Sequence, residues 1–296
     1  MQRNWSYPEF REILYREAKE GEDHINSNPY KRIYAYLKAI ELHKAGLSYN
    51  MIRKAVKNEV GFTPSKSELS YWLRGLHTPL TKIAVFDVHQ PEVGLLLGLI
   101  LSDGCEYRHY LHNHYYGARQ KLFNNDEQLI QEFKQACNKL GIAVHGTLDP
   151  PKLGQRCWRL EANSTLLYLL LKRYDVFIIK APANVQTAFL RGLWLGDGYM
   201  NKGLMFINTD LKLIETAERL LTIHGVLYTR QGPYKSKPNN LPRKPYKPRY
   251  IVYVASTSQQ HFLELINLPK ALHASASIHN GLSKNLSILI RAGGRI

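Results

Sequence analysis

Cysteine is scarce in this chain. Its 296 residues hold three, Cys105, Cys137 and Cys157, and no two form a C-x-x-C pair. So odd and scattered a set argues against a disulfide framework or a zinc ribbon and fits a reducing compartment. Long apolar runs are missing too. No stretch reaches the ~18 consecutive apolar residues of a membrane helix, and the N-terminus is polar, without a secretory segment. Acidic residues are also few: 24 Asp and Glu stand against 40 Lys and Arg, a net charge of +16. Such an excess points to a polyanionic partner, nucleic acid above all, and says little about fold. A cytoplasmic, nucleoid-associated location is expected.

Hydrophobic residues make up 44% of the chain, enough for a packed core. The length suggests two or three domains. Charge is uneven along it. Residues 1–90 carry 14 basic and 10 acidic groups, residues 91–185 carry 11 and 9, and residues 186–296 carry 15 and 5. The last third is where a binding face is expected.

A short helix is expected around Pro8–Lys19. From Tyr30 the pattern is helical, with Ile33, Leu37, Ile40 and Leu42 near helical spacing and Gly46 as a stop. Ser48 is a good N-cap for a helix over Tyr49–Val60. After a Gly61-Phe62-Thr63-Pro64 turn, Ser65 and Glu68 form a capping box for a third helix, Lys66 to Leu73, which Gly75 ends. Three short helices with a tight turn before the last suggest a helix-turn-helix module. Leu69, Trp72 and Leu73 then pack inward, leaving Lys66, Ser67, Ser70, Tyr71 and Arg74 for a major groove. A small helical bundle with a merely solvated polar face is the alternative. The divisions are a helical domain over 1–80, a linker over 81–90, a first unit over 91–184 and a second over 185–296.

The last two divisions repeat one plan. Each opens with an apolar helix ending in Asp-Gly. Charged helices follow, Asp126–Leu140 closed by Gly141 and Asp210–His224 closed by Gly225. Strand-like segments come next, Ala143–Leu148 and Cys157–Ala162, then Val226–Gln231 and Tyr250–Ala255. A duplicated α-β-β-α-β-β-α unit is the simplest account.

The opening helices read Leu96-Leu97-Gly98-Leu99-Ile100-Leu101-Ser102-Asp103-Gly104 and Leu190-Arg191-Gly192-Leu193-Trp194-Leu195-Gly196-Asp197-Gly198, with their acids 94 residues apart. Gly98 matches Gly192, Ser102 matches Gly196, and Gly94 lies one turn before Gly98. Such small residues let two helix backbones approach closely. An acid at a helix C-terminus opposes the macrodipole, at a cost of ~0.3–1 kcal/mol. Two carboxylates brought together also repel. A divalent cation answers both problems, and hard carboxylate oxygens suit Mg²⁺ or Mn²⁺. Beside a phosphodiester such ions activate water and stabilise the leaving oxygen. One Asp-Gly alone would read as an ordinary helix stop. Two copies at domain spacing in a basic chain favour a shared site.

These segments resemble the two signature motifs of single-chain LAGLIDADG homing endonucleases. Gly98, Leu99, Ile100, Asp103 and Gly104 carry the first likeness; Gly192, Leu193, Asp197 and Gly198 carry the second. The resemblance covers residues 91–296. It implies an α+β fold, a pseudo-twofold pair of αββαββα units whose antiparallel sheets form a saddle over DNA, beside the small all-α N-terminal domain. It also implies cleavage across the minor groove. By that resemblance Asp103 and Asp197 are the metal-binding acids, joined by the backbone carbonyls of Ser102 and Gly196. The sixth motif position, often acidic in the family, is Leu101 and Leu195 here. A polar residue ending the second strand, which orders water, falls on Asn124 and Asn208, where Gln is more usual. A lysine beside the cleavage site falls on Lys180. The second half has no clean equivalent, Lys270 being the nearest.

Two further stretches carry cations. From Gly232 to Tyr250 there are six Lys or Arg, five Pro and no acid. Lys235, Lys237, Arg243, Lys244, Lys247 and Arg249 would lie on phosphates in a long loop. A basic loop without a specific role is the alternative. Tyr107 to Arg119 interleaves tyrosines with Arg108, His109, His112, His114 and Arg119. The matching family position is the first hairpin, which reads base edges. The His spacing fits no standard zinc module. Lys121 and Arg230 complete the expected DNA contacts.

The expected function is a site-specific, metal-dependent endonuclease acting as a monomer on a long pseudo-palindromic double-stranded DNA site. The rivals are a splicing maturase that binds intron RNA and a non-cleaving DNA-binding regulator. Protein-splicing ends are not expected, because the chain starts with Met, ends Arg-Ile, and holds His279-Asn280 internally.

Overall fold

The structure is a computed structural model that describes residues 29–77, 79, 86–111, 114–152, 155–199, 203–235 and 247–268. The expected helix at Pro8–Lys19 lies outside these, as do Lys237, Arg243, Lys244, Lys270 and the side chain of Arg108.

Three helices open the described chain: α1 (Pro29–Lys44), α2 (Tyr49–Val60) and α3 (Lys66–Leu73). Ser65 starts α3 by accepting from Glu68 N at 3.0 Å. The return bond of the expected capping box is not made, because the Glu68 carboxylate instead takes Arg32 Nε at 2.8 Å. Ser48 stands at the N-cap of α2 but makes no side-chain capping bond. Leu69 and Trp72 are buried, with Tyr36 edge-on to Trp72 at 5.6 Å between ring centroids. In α1 the inward stripe is Ile33, Tyr36 and Ala39; the expected Leu37, Ile40 and Leu42 are only partly buried. Lys66, Ser67, Tyr71 and Arg74 are exposed and Ser70 is half-buried.

The two units follow. The first runs α4 (Pro91–Asp103), β1 (Gly104–Leu111), β2 (His114–Asn124), α5 (Glu127–Lys139), β3 (Val144–Lys152), β4 (Gln155–Asn163), α6 (Thr165–Lys172) and α7 (Tyr174–Lys180). The second runs α8 (Ala183–Asp197), β5 (Gly198–Tyr199), β6 (Met205–Asn208), α9 (Leu211–Ile223), β7 (Tyr228–Tyr234), β8 (Arg249–Val254) and α10 (Gln259–Leu265). Each unit forms an antiparallel four-stranded sheet, ordered β1-β2-β4-β3 and β5-β6-β8-β7. The fold is α+β, with the expected repeat. Phe86 and Val88, assigned to a linker, are instead buried at 4% and 1% exposure, so the segment before α4 belongs to the core.

Matching caps build the units alike. Asp126 accepts from Gln128 N at 2.8 Å and Leu129 N at 3.4 Å. Asp210 accepts from Lys212 N at 2.9 Å and Leu213 N at 3.4 Å. These acids stand just outside α5 and α9 rather than inside them, where a carboxylate best answers the first N–H groups. Past each helix, Gly141 and Gly225 take φ of 68° and 69°, a left-handed conformation that favours glycine.

In each sheet one face packs on helices and the other is open. Along β2, Ala118, Gln120 and Leu122 are buried at 2%, 0% and 0% exposure, while Arg119, Lys121 and Phe123 between them are only partly covered. Phe206 and Val252 mark the packed face of the second sheet. Alternation along each strand assigns the remaining residues to a face.

Candidate metal centre and nucleic-acid interface

α4 and α8 lie side by side with their backbones almost touching, and glycine is the reason. A Cβ on Gly98 would fall 2.4 Å from Phe189 O and 2.9 Å from Gly192 Cα. A Cβ on Gly192 would fall 2.5 Å from Leu95 O and 3.0 Å from Gly98 Cα. The contacts are reciprocal, as a pseudo-twofold axis through the pair requires. At one end Gly94 faces Val185, and at the other Gly196 faces Ser102. The helices therefore run in the same direction, and both end in their acids at the same place.

At that end the pseudo-symmetry is filled unequally. Ser102 Oγ donates to Gly98 O at 2.9 Å and occupies space that a Cβ on Gly196 would need, 2.0 Å away. The Asp103 carboxylate reaches across: its Oδ2 lies 3.1 Å from that same missing Cβ. Asp103 is thereby held against the residue that precedes Asp197. Both acids are half-buried.

Each acid is held by an asparagine. Asn124 Nδ2 donates to Asp103 Oδ2 at 2.9 Å, and Asn208 Nδ2 donates to Asp197 Oδ2 at 2.7 Å. The other amide atom is also committed, since Asn124 Oδ1 accepts from Asp126 N at 2.7 Å and Asn208 Oδ1 from Asp210 N at 2.8 Å. An amide with its oxygen on a backbone N–H has only its NH₂ left for the carboxylate, so the orientation is fixed. A chain of bonds thus runs from each helix-ending acid, through the asparagine, to the cap of the next helix.

Gly104 and Gly198 do not act as left-handed helix stops. Their φ values are −124° and −76° with extended ψ. Glycine is needed for space: a Cβ on Gly104 would meet Lys121 O at 2.4 Å, and one on Gly198 would meet Trp194 O at 2.2 Å. The chain passes straight from helix into strand, which the bland reading of Asp-Gly as a stop did not anticipate.

Two carboxylates with one oxygen of each tied suit a hard divalent cation. Mg²⁺ takes one or two protein carboxylates and fills its remaining positions with water and substrate oxygens. Among the described residues no group of three or more His, Cys, Asp or Glu gathers as a closed metal cage would require. The donor set fits Mg²⁺ or Mn²⁺ and not a structural zinc.

The comparisons bear on this arrangement. Residues 184–267, which take in all of α8 but its first residue, the second sheet, α9 and α10, match a LAGLIDADG-like domain. The chain carries a LAGLIDADG-like domain. Among curated relatives, a DNA polymerase of Thermococcus kodakarensis is 24% identical over 210 residues, which are 69% of this chain and 12% of that protein. A ribonucleoside-diphosphate reductase NrdEB subunit alpha of Bacillus subtilis is 25% identical over 180 residues, 52% of this chain and 16% of that protein. The chain spans less than a fifth of the length of either. Among solved structures, I-DmoI in complex with DNA and manganese is similar over 62% of this chain and 99% of its own, at 22% identity and a TM-score of 0.47.

Other expected site residues fall in different places within the two units. Lys180 is not near the acids. It ends α7, separated from α8 by two residues, whereas Asp197 ends α8. The 15 residues of α8 at ~1.5 Å each put roughly 20 Å between them. Arg230 is likewise displaced. It pairs with Val252 across the ladder and so shares the packed face, where its guanidinium reaches Glu218 at 3.2 Å. Burial pushes the Glu218 carboxyl above its ordinary range, though Arg230 opposes this.

The open face of the first sheet carries charge. Arg119 and Lys121 lie on it, with Tyr107 and Cys105 opposite them in β1 and Glu161 opposite Lys121 in β4. Arg159, exposed and opposite Phe123, is a further cation that strand pairing reveals. The second sheet's other face is apolar, with Tyr199, Ile207, Ile251 and Tyr253 half-buried and Met205 buried. Lys235, Lys247 and Arg249 are exposed at its edge. Sequence reading also missed Arg191. It donates to Glu132 through Nη2 at 2.7 Å and Nε at 3.2 Å, and to Ile266 O at 3.2 Å, tying α8 to α5 and to the end of α10.

Proposed function

We propose that this chain is a metal-dependent DNA endonuclease that makes a double-strand break in a long, pseudo-palindromic site. The observation that carries the reading is the close parallel packing of two helices that each end in an acid. Two glycine-lined helices of one repeat bring Asp103 against Gly196, and each acid is fixed by an asparagine in the same way. The match to a LAGLIDADG-like domain and the net charge of +16 support it. A segment shared by a polymerase and a reductase is a module common to both, so neither of their named reactions is assigned to it.

In this reading Asp103 and Asp197 hold Mg²⁺ or Mn²⁺, with the last-turn carbonyls of Ser102 and Gly196 beside them. The metal, when bound, supplies an activated water and stabilises the leaving oxygen. Asn124 and Asn208 fix one oxygen of each acid. The open faces of the two sheets receive duplex DNA. The divisions are a helical domain over 1–80 whose Lys66, Ser67, Ser70 and Arg74 meet DNA, and two units over 91–184 and 185–296. The protein acts as a monomer, because both acids come from one chain.

The test is cleavage of a DNA library with Mg²⁺. Wild type cuts at a discrete site, and D103N or D197N abolishes cutting while binding persists. Absence of cutting with any divalent metal, alongside sequence-specific binding, would favour a non-cleaving DNA-binding regulator. Preference for a folded intron RNA over duplex DNA would favour a maturase.

A further inference from the structure

The open face of the first sheet holds a carboxylate where a DNA-binding surface gains nothing from negative charge. Glu161 sits in β4, 19% exposed, directly opposite Lys121. Three groups converge on it. Tyr107 Oη donates to Glu161 Oε2 at 3.1 Å, and the Arg119 guanidinium donates to Oε1. Lys121 Nζ lies 3.5 Å from Oε2 and 4.7 Å from the centre of the Tyr107 ring. Burial alone would push the Glu161 carboxyl up, but the Tyr107 hydroxyl and the two cations outweigh it and hold the group below its ordinary value of 4.5. The two cations best placed to grip a phosphate are thus already occupied. Among the described residues the second sheet has no counterpart. Aligning Asn208 with Asn124 puts Gly203, Met205 and Tyr253 where the first sheet has Arg119, Lys121 and Glu161.

We infer that Glu161 is a specificity-determining residue, which neutralises Arg119 and Lys121 against arbitrary DNA phosphates and holds them as fixed donors for base edges in one half of the target. The inference rests on the reading that the open sheet faces receive DNA. Its physical basis is the difference between the two kinds of contact. A phosphate contact draws on charge, and the Arg119–Lys121–Glu161 set offers a net of one positive charge instead of two. A base-edge contact draws on oriented N–H groups, and an arginine with five donors can keep one side on Glu161 and present the other to guanine acceptors. Glu161 therefore weakens binding everywhere except where the bases reward a rigid fork.

The experiment measures duplex binding by fluorescence anisotropy without divalent metal, across a salt series, on a shuffled duplex. E161Q keeps shape and removes the charge. E106Q is the control, because Glu106 pairs with Lys172 at 3.1 Å on the packed face and its loss changes net charge equally. E161Q is expected to bind shuffled DNA several-fold more tightly at low salt. Its log–log salt slope steepens by about 0.9 for each cation that reaches a phosphate, while E106Q stays at the wild-type slope. R119Q is expected to flatten the slope in the E161Q background but hardly in the wild type, a non-additivity diagnostic of a shared contact. Equal slopes for E161Q and E106Q overturn the inference, and so does a full R119Q effect in the wild-type background. Because shuffled DNA needs no cleavage, a wild type that cuts nothing counts against the nuclease reading alone.

Discussion

Replacing Gly98 with Ala tests whether the helix pair sets the site. In an open helix this change stabilises by ~1 kcal/mol, since Ala is the better helix former. Here the new methyl would lie 2.4 Å from Phe189 O and 2.8 Å from Leu193 N. Both are backbone atoms, so no rotamer change clears them. Moving from 2.4 Å to an ordinary contact of about 3.4 Å requires the helices to part by about 1 Å. Overpacking costs ~1–3 kcal/mol, and with rigid atoms on both sides the upper end applies. Against the propensity gain, the net loss is about 2 kcal/mol, or roughly 8–16 °C in melting temperature for units of this size. The same parting separates Asp103 from Asp197, and a misplacement of ~1 Å can cost ~10²-fold in rate. Thermal unfolding and Mg²⁺-dependent cleavage measure the two effects. A G98A protein melting at or above wild type would refute the close-approach argument, whatever its activity.

Other consequences follow from particular contacts. G196A drives a methyl into Ser102, and adding S102G, which removes both clashing atoms, should recover most of the lost stability in a denaturant melt. N208A strands Asp210 N and loosens Asp197, costing ~1–3 kcal/mol by urea titration; N124A should cost less, because Asn124 is more exposed than Asn208. Glu161, held below its ordinary 4.5, stabilises the fold fully above that value, and this contribution is lost as pH falls through the lower folded value. The urea midpoint should therefore decline with acid more steeply in wild type than in E161Q. D126A and D210A should each lower helix stability by ~1 kcal/mol, read as a loss of melting temperature.

Much of the fold was legible because its signals are local. Asp126 and Asp210 mark two helix starts, Gly141 and Gly225 two helix ends, and each acts through backbone groups within a turn of itself. The pairing of Gly98 with Gly192 was legible for a related reason. Small residues at matching places in two apolar helices permit a close crossing, and repetition says which helices cross. The basic excess is a sum over residues and needs no fold at all.

Where the reading went astray, the missing information was non-local. Lys180 is close to the second motif in sequence, yet α8 intervenes and carries the acid to its far end. Arg230 lies in a basic stretch, but strand pairing turns it to the helices, since side chains alternate and one step of register exchanges the faces. The grip of Asn124 and Asn208 on specific carboxylate oxygens also required the assembled chain. So did the capture of Arg119 and Lys121 by Glu161, some 40 residues further along. Sequence by itself determined the repeat, the approximate helix boundaries, the two motif acids and the excess of basic charge, all set by nearest neighbours or by composition. Tertiary structure alone decided which end of a helix faces the site, which face of a strand meets a ligand and which charges are already paired, because those depend on register and packing between segments far apart in the chain.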